Sequence, residues 1–218
     1  MGLLQDSDVA EVRERFEELT TPVKLIHFTQ ELNLEYGREA RQLLEELTQI
    51  SGKVSLEIYD FQSDKEKVAE YAIDNVPATV IRNGKDYGIR FYGLPAGFEF
   101  SALIDAVLAV SKGDSGLRPE TREKLAQLTE PLHLQVFTTP TCPYCPPAVR
   151  MAYQFAIESD LVRADGIEAT EFPDLAERFH VFAVPRTVIN EGAYVEGSLP
   201  EGFFLDAILR TLEPAQQS

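Results

Sequence analysis

The sequence repeats itself, and that repeat constrains the fold more than any other feature. Val76-Pro77-Ala78-Thr79-Val80-Ile81 returns as Val184-Pro185-Arg186-Thr187-Val188-Ile189, an offset of 108 from Pro77 to Pro185. Leu94-Pro95-Ala96-Gly97-Phe98 returns as Leu199-Pro200-Glu201-Gly202-Phe203, an offset of 105, and Phe28-Thr29 returns as Phe137-Thr138, an offset of 109. Three anchors in one order at nearly one spacing divide the 218 residues into two copies of a unit of roughly a hundred residues, an ordinary domain size. Gly113-Asp114-Ser115-Gly116 interrupts the pattern between them, so domains are expected at 1–112 and 117–218.

Both copies present one order of elements. In the first, an amphipathic helix over 6–19 carries Val9, Val12, Phe16 and Leu19 on one stripe. A strand over 23–28, a helix over 36–47, a strand over 54–59 and a helix over 64–71 follow. Strands over 78–82 and 89–92 form a hairpin about Asn83-Gly84, and a helix over 99–110 closes the unit. The second copy reads as a helix over 118–128, a strand over 133–138, a helix over 143–158 and a strand over 167–170. A helix over 173–179, strands over 187–189 and 193–195 and a helix over 202–212 complete it. The expected class is α/β: two tandem units, each a mixed central sheet flanked by helices.

The only two cysteines stand together in Thr141-Cys142-Pro143-Tyr144-Cys145-Pro146. Two thiols two residues apart can close into a disulfide and reopen, with one thiolate attacking and the second resolving the mixed disulfide. They fall where a strand ends and a helix begins, which places Cys142 at the positive end of the helix dipole and favours its thiolate. Cys145 should face inward under the first helical turn. A zinc site would need two more ligands, and His27, His133 and His180 have no ligand spacing to the pair or to each other. A loop this short also constrains little of the unfolded chain, which argues against a merely structural disulfide. Subtracting the offset of 109 places Asn33 and Tyr36 at the matching positions of the first copy, so that copy cannot perform this chemistry.

Each copy also opens a strand with Val-Pro. Proline is poorly tolerated inside a sheet unless the preceding backbone turns away from its neighbour. X–Pro bonds are the ones for which cis is accessible, so a cis bond is expected here. In the second copy the Val184 backbone would then be free to bind a substrate chain.

On these residues the sequence resembles the protein disulfide oxidoreductases built from two fused thioredoxin-fold units with a glutaredoxin-type Cys-Pro-Tyr-Cys site. The likeness is densest over Cys142-Pro143-Tyr144-Cys145-Pro146-Pro147 and over Phe182-Ala183-Val184-Pro185. It implies that Cys142 attacks, that Cys145 resolves, and that Pro185 is cis and borders a substrate groove shared with Pro143, Tyr144 and Val184. An organic cofactor or metal is not implied. Three departures stand out. The first unit lacks a cysteine pair. Pro147 beside Pro146 should bend the active-site helix. Val136 occupies the place, six residues before Cys142, where thioredoxins bury a carboxylate. Glu168 and Glu171 are candidate substitutes, although both are expected to face solvent. A silent first unit before an active second one also resembles the N-terminal domain of the flavoprotein component of alkyl hydroperoxide reductase, which passes electrons from a flavin to a peroxiredoxin.

Acidic residues outnumber basic ones by 36 to 20, for a net charge of −16. Phosphate binding needs clustered Lys and Arg, so nucleic acid and anionic membrane are not expected partners. Residues 1–8 carry no basic stretch leading into a long apolar core, and a cytoplasmic location is expected. The sequence thus reads as a thiol–disulfide oxidoreductase working on protein disulfides, net reducing, with a peroxiredoxin among the candidate partners. Its electron donor would be a separate molecule such as a thioredoxin reductase or glutathione. The rival readings are a non-catalytic adaptor and a glutaredoxin-like iron–sulfur carrier.

Overall fold

The computed structural model describes residues 2–30 and 35–212. Asn33, the first-copy counterpart of Cys142, lies outside them. The elements run α1 (Asp6–Phe16), β1 (Val23–Thr29), α2 (Glu35–Ile50), β2 (Val54–Asp60), α3 (Lys65–Glu70), β3 (Ala78–Arg82), β4 (Asp86–Tyr92) and α4 (Phe98–Lys112). They continue as α5 (Pro119–Leu125), β5 (Leu132–Thr138), α6 (Cys145–Glu158), β6 (Val162–Glu168), α7 (Pro173–Arg178), β7 (Arg186–Ile189), β8 (Ala193–Glu196) and α8 (Glu201–Leu212).

Among the described residues eight strands join one mixed sheet in the order β2-β1-β3-β4-β6-β5-β7-β8. Within the first half β1 is parallel to β2 and antiparallel to β3, and β3 is antiparallel to β4. The second half repeats those senses with β5, β6, β7 and β8. The continuity of the sheet goes beyond the separate central sheets read from the sequence. β4 and β6 pair in parallel, Ile89 with Ala164 through Tyr92 with Ile167. Both edges are buried, and left unpaired they would expose a row of backbone donors and acceptors. Arg163 on β6 reaches across the join to donate to the Tyr92 hydroxyl at 2.9 Å and also holds the buried Asp165 carboxylate at 3.0 Å.

Side chains from β4, α4, β5, α6 and α8 fill one hydrophobic cluster, including Ile89, Leu103, Val107, Val136, Val149, Phe155 and Phe204. A second cluster packs Phe28, Tyr71, Phe137, Ile167 and Phe179. The two halves are tied further by Asp105 on α4, which takes Arg150 of α6 at 2.5 Å and also pairs with Arg15 of α1.

The strand expected at 167–170 lies instead at Val162–Glu168. Asp165-Gly166 resembles a turn in the sequence. Here Asp165 pairs with Arg163 inside the sheet and lies 2.6 Å from His133 Nε2, and Gly166 leaves room for neighbours. A Cβ on Gly166 would stand 2.9 Å from both Phe91 and the Tyr153 hydroxyl.

Candidate active site

β5 carries the chain through the centre of its strand set and ends at Thr138, and the next residues turn tightly. The Cys142 N–H donates to Thr139 O at 3.1 Å and the Cys145 N–H to Cys142 O at 3.3 Å. The helix then begins at Cys145 and not at Pro143 as expected. That shift settles the effect of the prolines. Pro146 and Pro147 both fall in the first turn, where backbone N–H groups have no intrahelical partner, so neither removes a helical hydrogen bond. The expected bend from Pro147 has no cause.

The two cysteines form a disulfide with their Cα atoms 5.5 Å apart. Cys145 is fully buried, whereas Cys142 keeps 8% of its surface exposed. An incoming sulfur can therefore reach only Cys142. The Cys142 Sγ lies 3.8 Å from Val184 O, and the Val184-Pro185 peptide is cis, as is Val76-Pro77 in the first half. The structure thus gathers Cys142, Cys145, Val184 and Pro185 into one site. Pro143 and Tyr144 stand at its rim, Tyr144 with 71% of its surface open, and Phe182 on the facing loop is 89% open. Thr139, Ala169, Val181, Phe182 and Val184 line a shallow groove beside the pair.

Tyr36, the counterpart of Cys145, is an exposed residue on α2. Six residues before Asn33 stands His27, buried with its Nδ1 3.1 Å from Thr79 Oγ1. Burial pushes its pKa down to about 4, so it is neutral near pH 7.

One residue that the sequence reading missed stands on α4, beside the active-site loop. Glu99, in the first turn of α4, is completely buried, and neither carboxyl oxygen has a hydrogen-bond partner. Its helix is pressed against the active-site loop, with the Phe98 N–H donating to Pro140 O at 2.9 Å. Burial pushes the Glu99 pKa up to about 8, and the nearby Glu168 adds to the rise. The adjacent Thr138 offsets this only in part, since its hydroxyl is turned to Ile167 O at 3.3 Å. The repeat held a signal for Glu99. At the offset of 105 its mate is Phe204, a buried core residue, so an acid stands where the other copy keeps an apolar side chain.

Glu168 and Glu171 also differ from expectation. Glu168 is 1% exposed instead of solvent-facing, and Glu171 is half-buried. Glu168 closes β6 at the sheet's end and Glu171 lies in the turn packed against it. The Glu171 Oε1 accepts the Leu94 N–H at 2.7 Å, and burial pushes the Glu171 pKa up to about 7.

The close approach of α4 depends on Gly97, whose φ is +57°. A Cβ there would sit 2.3 Å from Pro140 O. Gly97→Ala is expected to cost about 2–3 kcal/mol of stability and to slow exchange by displacing the 139–142 loop, as urea unfolding and a disulfide-reduction assay would show.

Among the described residues no helix is long and apolar enough to cross a membrane.

Residues 132–210 match the family model described as a thioredoxin domain. The chain is similar to a protein disulfide oxidoreductase from Aeropyrum pernix K1, with 30% identity, a TM-score of 0.88, and 94% of this chain and 91% of that one covered. It is also similar to the NTD_N/C domain of alkylhydroperoxide reductase AhpF from Enterococcus faecalis V583, with 25% identity, a TM-score of 0.87, and 94% and 99% covered. Among curated proteins, the F component of alkyl hydroperoxide reductase from Xanthomonas campestris pv. phaseoli is 27% identical over 163 residues, covering 75% of this chain and 29% of that protein. The chain spans about three tenths of the length of such relatives. The central mixed sheet with its flanking helices is thus a thioredoxin-like arrangement.

Proposed function

Because the chain belongs to the thioredoxin-fold protein disulfide oxidoreductases, we propose that it exchanges disulfides with protein substrates through the single pair Cys142 and Cys145. The observation that carries this reading is the asymmetry of the pair: Cys142 keeps 8% of its surface exposed beside Val184 O, and Cys145 is sealed.

In the reaction, the Cys142 thiolate attacks one sulfur of a substrate disulfide. A Cys142–substrate bond forms, the substrate bond breaks, and the second substrate sulfur leaves as thiolate. Cys145 then loses its proton and attacks the Cys142 sulfur. The Cys142–Cys145 bond forms, the first substrate sulfur departs, and two electrons have passed to the substrate. The proximity of the helix N-terminus favours the Cys142 thiolate at the start. The ionised form of Glu99 takes the Cys145 proton, a role suited to a buried carboxyl that titrates at about 8. Val184 and Pro185 bind the backbone beside the substrate cysteine, and Pro143 and Tyr144 form the opposite wall.

We read the chain as two tandem thioredoxin-fold units, 1–112 without a redox pair and 117–218 with one. The first unit is then part of the active site, since it supplies Glu99 and the helix end that supports Pro140. Residues 117–218 alone are expected to lose most exchange activity, because the cut bares the β6 edge and the α4-facing side of α6. Full activity of that fragment with protein substrates would contradict the assignment.

A narrower reading makes the protein a dedicated electron carrier to a peroxiredoxin, favoured by the end-to-end likeness to the AhpF domain. Its donor would be a separate reductase or glutathione in a reducing compartment such as the cytoplasm. Stopped-flow mixing of the reduced protein with a disulfide-form peroxiredoxin and with insulin separates the two. A carrier reacts at least about tenfold faster with the peroxiredoxin, and equal rates point to a general reductase.

A further inference from the structure

A proton held on a fully buried carboxyl must have a way out, or the site works once. We infer that Glu168 and Glu171 form the path by which Glu99 exchanges its proton with solvent, an inference that rests on the reading of Glu99 as proton holder.

The groups around Glu99 leave few other routes. Thr138 on β5 turns its hydroxyl to Ile167 O. Tyr153 on α6 donates its hydroxyl to Arg90 O at 2.7 Å and is likewise committed. On β6 stands Glu168, whose charge acts on Glu99. Its Oε2 accepts from Thr170 Oγ1 at 2.7 Å and from the Glu171 N–H at 2.6 Å, while its buried Oε1 has no partner.

Glu171 comes next and is half-buried. It bonds Leu94 N–H through Oε1 and leaves Oε2 buried and unpaired. Beyond it lies Glu39 of α2, also half-buried, the remaining charge that acts on it. The first half presses against both acids at one point. A Cβ on Gly93 would be 2.8 Å from Glu168 Cβ and 2.9 Å from Glu171 Oε1.

Glu99 on α4, Glu168 at the end of β6 and Glu171 in the turn after it together hold four buried oxygens that lack hydrogen-bond partners. Burial favours the protonated form of Glu99 and of Glu171. Glu99 and Glu171 titrate at about 8 and about 7, close enough for a proton to pass either way. When a donor thiolate opens the Cys142–Cys145 disulfide, a donor–Cys142 bond forms and the electron pair goes to the Cys145 sulfur. Glu99 protonates that sulfur and is refilled through Glu168 and Glu171. During substrate reduction the same proton leaves by the reverse route.

The test compares Glu171→Gln and Glu99→Gln in the full chain. Glutamine keeps an acceptor for Leu94 N–H but cannot relay a proton. The single-turnover rate of disulfide opening by dithiothreitol is followed across the neutral pH range, with and without added imidazole, alongside the redox potential. Glu171→Gln is expected to slow the step about tenfold, to recover with imidazole and to keep its potential. Glu171→Asp, which retains a titrating carboxyl, should remain within about threefold of the parent. Glu99→Gln should be slower and gain nothing from imidazole. A normal rate for Glu171→Gln beside a slow Glu99→Gln overturns the path and leaves the Glu99 reading intact. Normal rates for both remove the Glu99 reading and the path with it. A slow Glu171→Gln that imidazole does not restore, with a shifted potential, would make Glu171 structural. Should Glu171→Gln not fold, Glu168→Gln carries the same expectations.

Discussion

Replacing Cys142 by Ser is expected to abolish disulfide exchange, by at least about 10³-fold in kcat/KM for any protein disulfide. The reacting species is a thiolate, and a serine hydroxyl neither ionises near neutrality nor forms a bond to sulfur that Cys145 can displace. With Cys145 fully buried, no second thiol in the chain is open to take over. The fold should be untouched, since Cys142 is a small side chain at the edge of the core, and circular dichroism would check this. Residual reduction above a few per cent would mean that Cys145 becomes reachable, contrary to its burial.

Glu99→Gln is expected to act in opposite directions on activity and stability. The resolving step should slow about 10²-fold, because the amide cannot take the Cys145 proton. Stability should rise. The folded-state pKa of Glu99 is raised to about 8 from 4.5, so the native chain holds a proton that the unfolded chain has already released. The stability associated with that proton is fully present below about pH 4.5 and is lost progressively as pH climbs through 8. Gln has no charge to desolvate and should escape the loss. The variant should match the parent near pH 4 and exceed it by about 3 kcal/mol at pH 7 in urea unfolding. A parent whose stability does not fall between pH 5 and 8 relative to the variant would contradict the burial of an ionisable Glu99.

The sequence was most readable where one physical requirement left one solution. The repeat of Val-Pro and Leu-Pro-x-Gly-Phe fixed the order of elements, and the lone Cys142–Cys145 pair between a strand and a helix located the exchange site. Pro77 and Pro185 could be read because X–Pro bonds are nearly alone in adopting cis. What stayed hidden was set by contacts between the halves. The pairing of β4 with β6 depends on two edges finding each other, and the early start of β6 at Val162 rests on partners such as Ile89 and Leu132 that lie far away in sequence. Glu99 was hidden for the same reason. It belongs to the half without cysteines, and only the approach of α4 to Pro140 brings it to the site. The break from Phe204 to Glu99 in the repeat was visible, but its meaning depends on the packing of the two halves.

The most direct test of a single-pair exchange mechanism is trapping with Cys145→Ser in lysate of the native cell. Without the resolving thiol the mixed disulfide on Cys142 should persist, appear on a non-reducing gel and disappear with reductant. Mass spectrometry should place every adduct on Cys142, with one dominant peroxiredoxin partner for a carrier or many partners for a general reductase. The absence of any adduct, with Cys142 shown by alkylation to be reactive, would contradict disulfide exchange as the function of this protein.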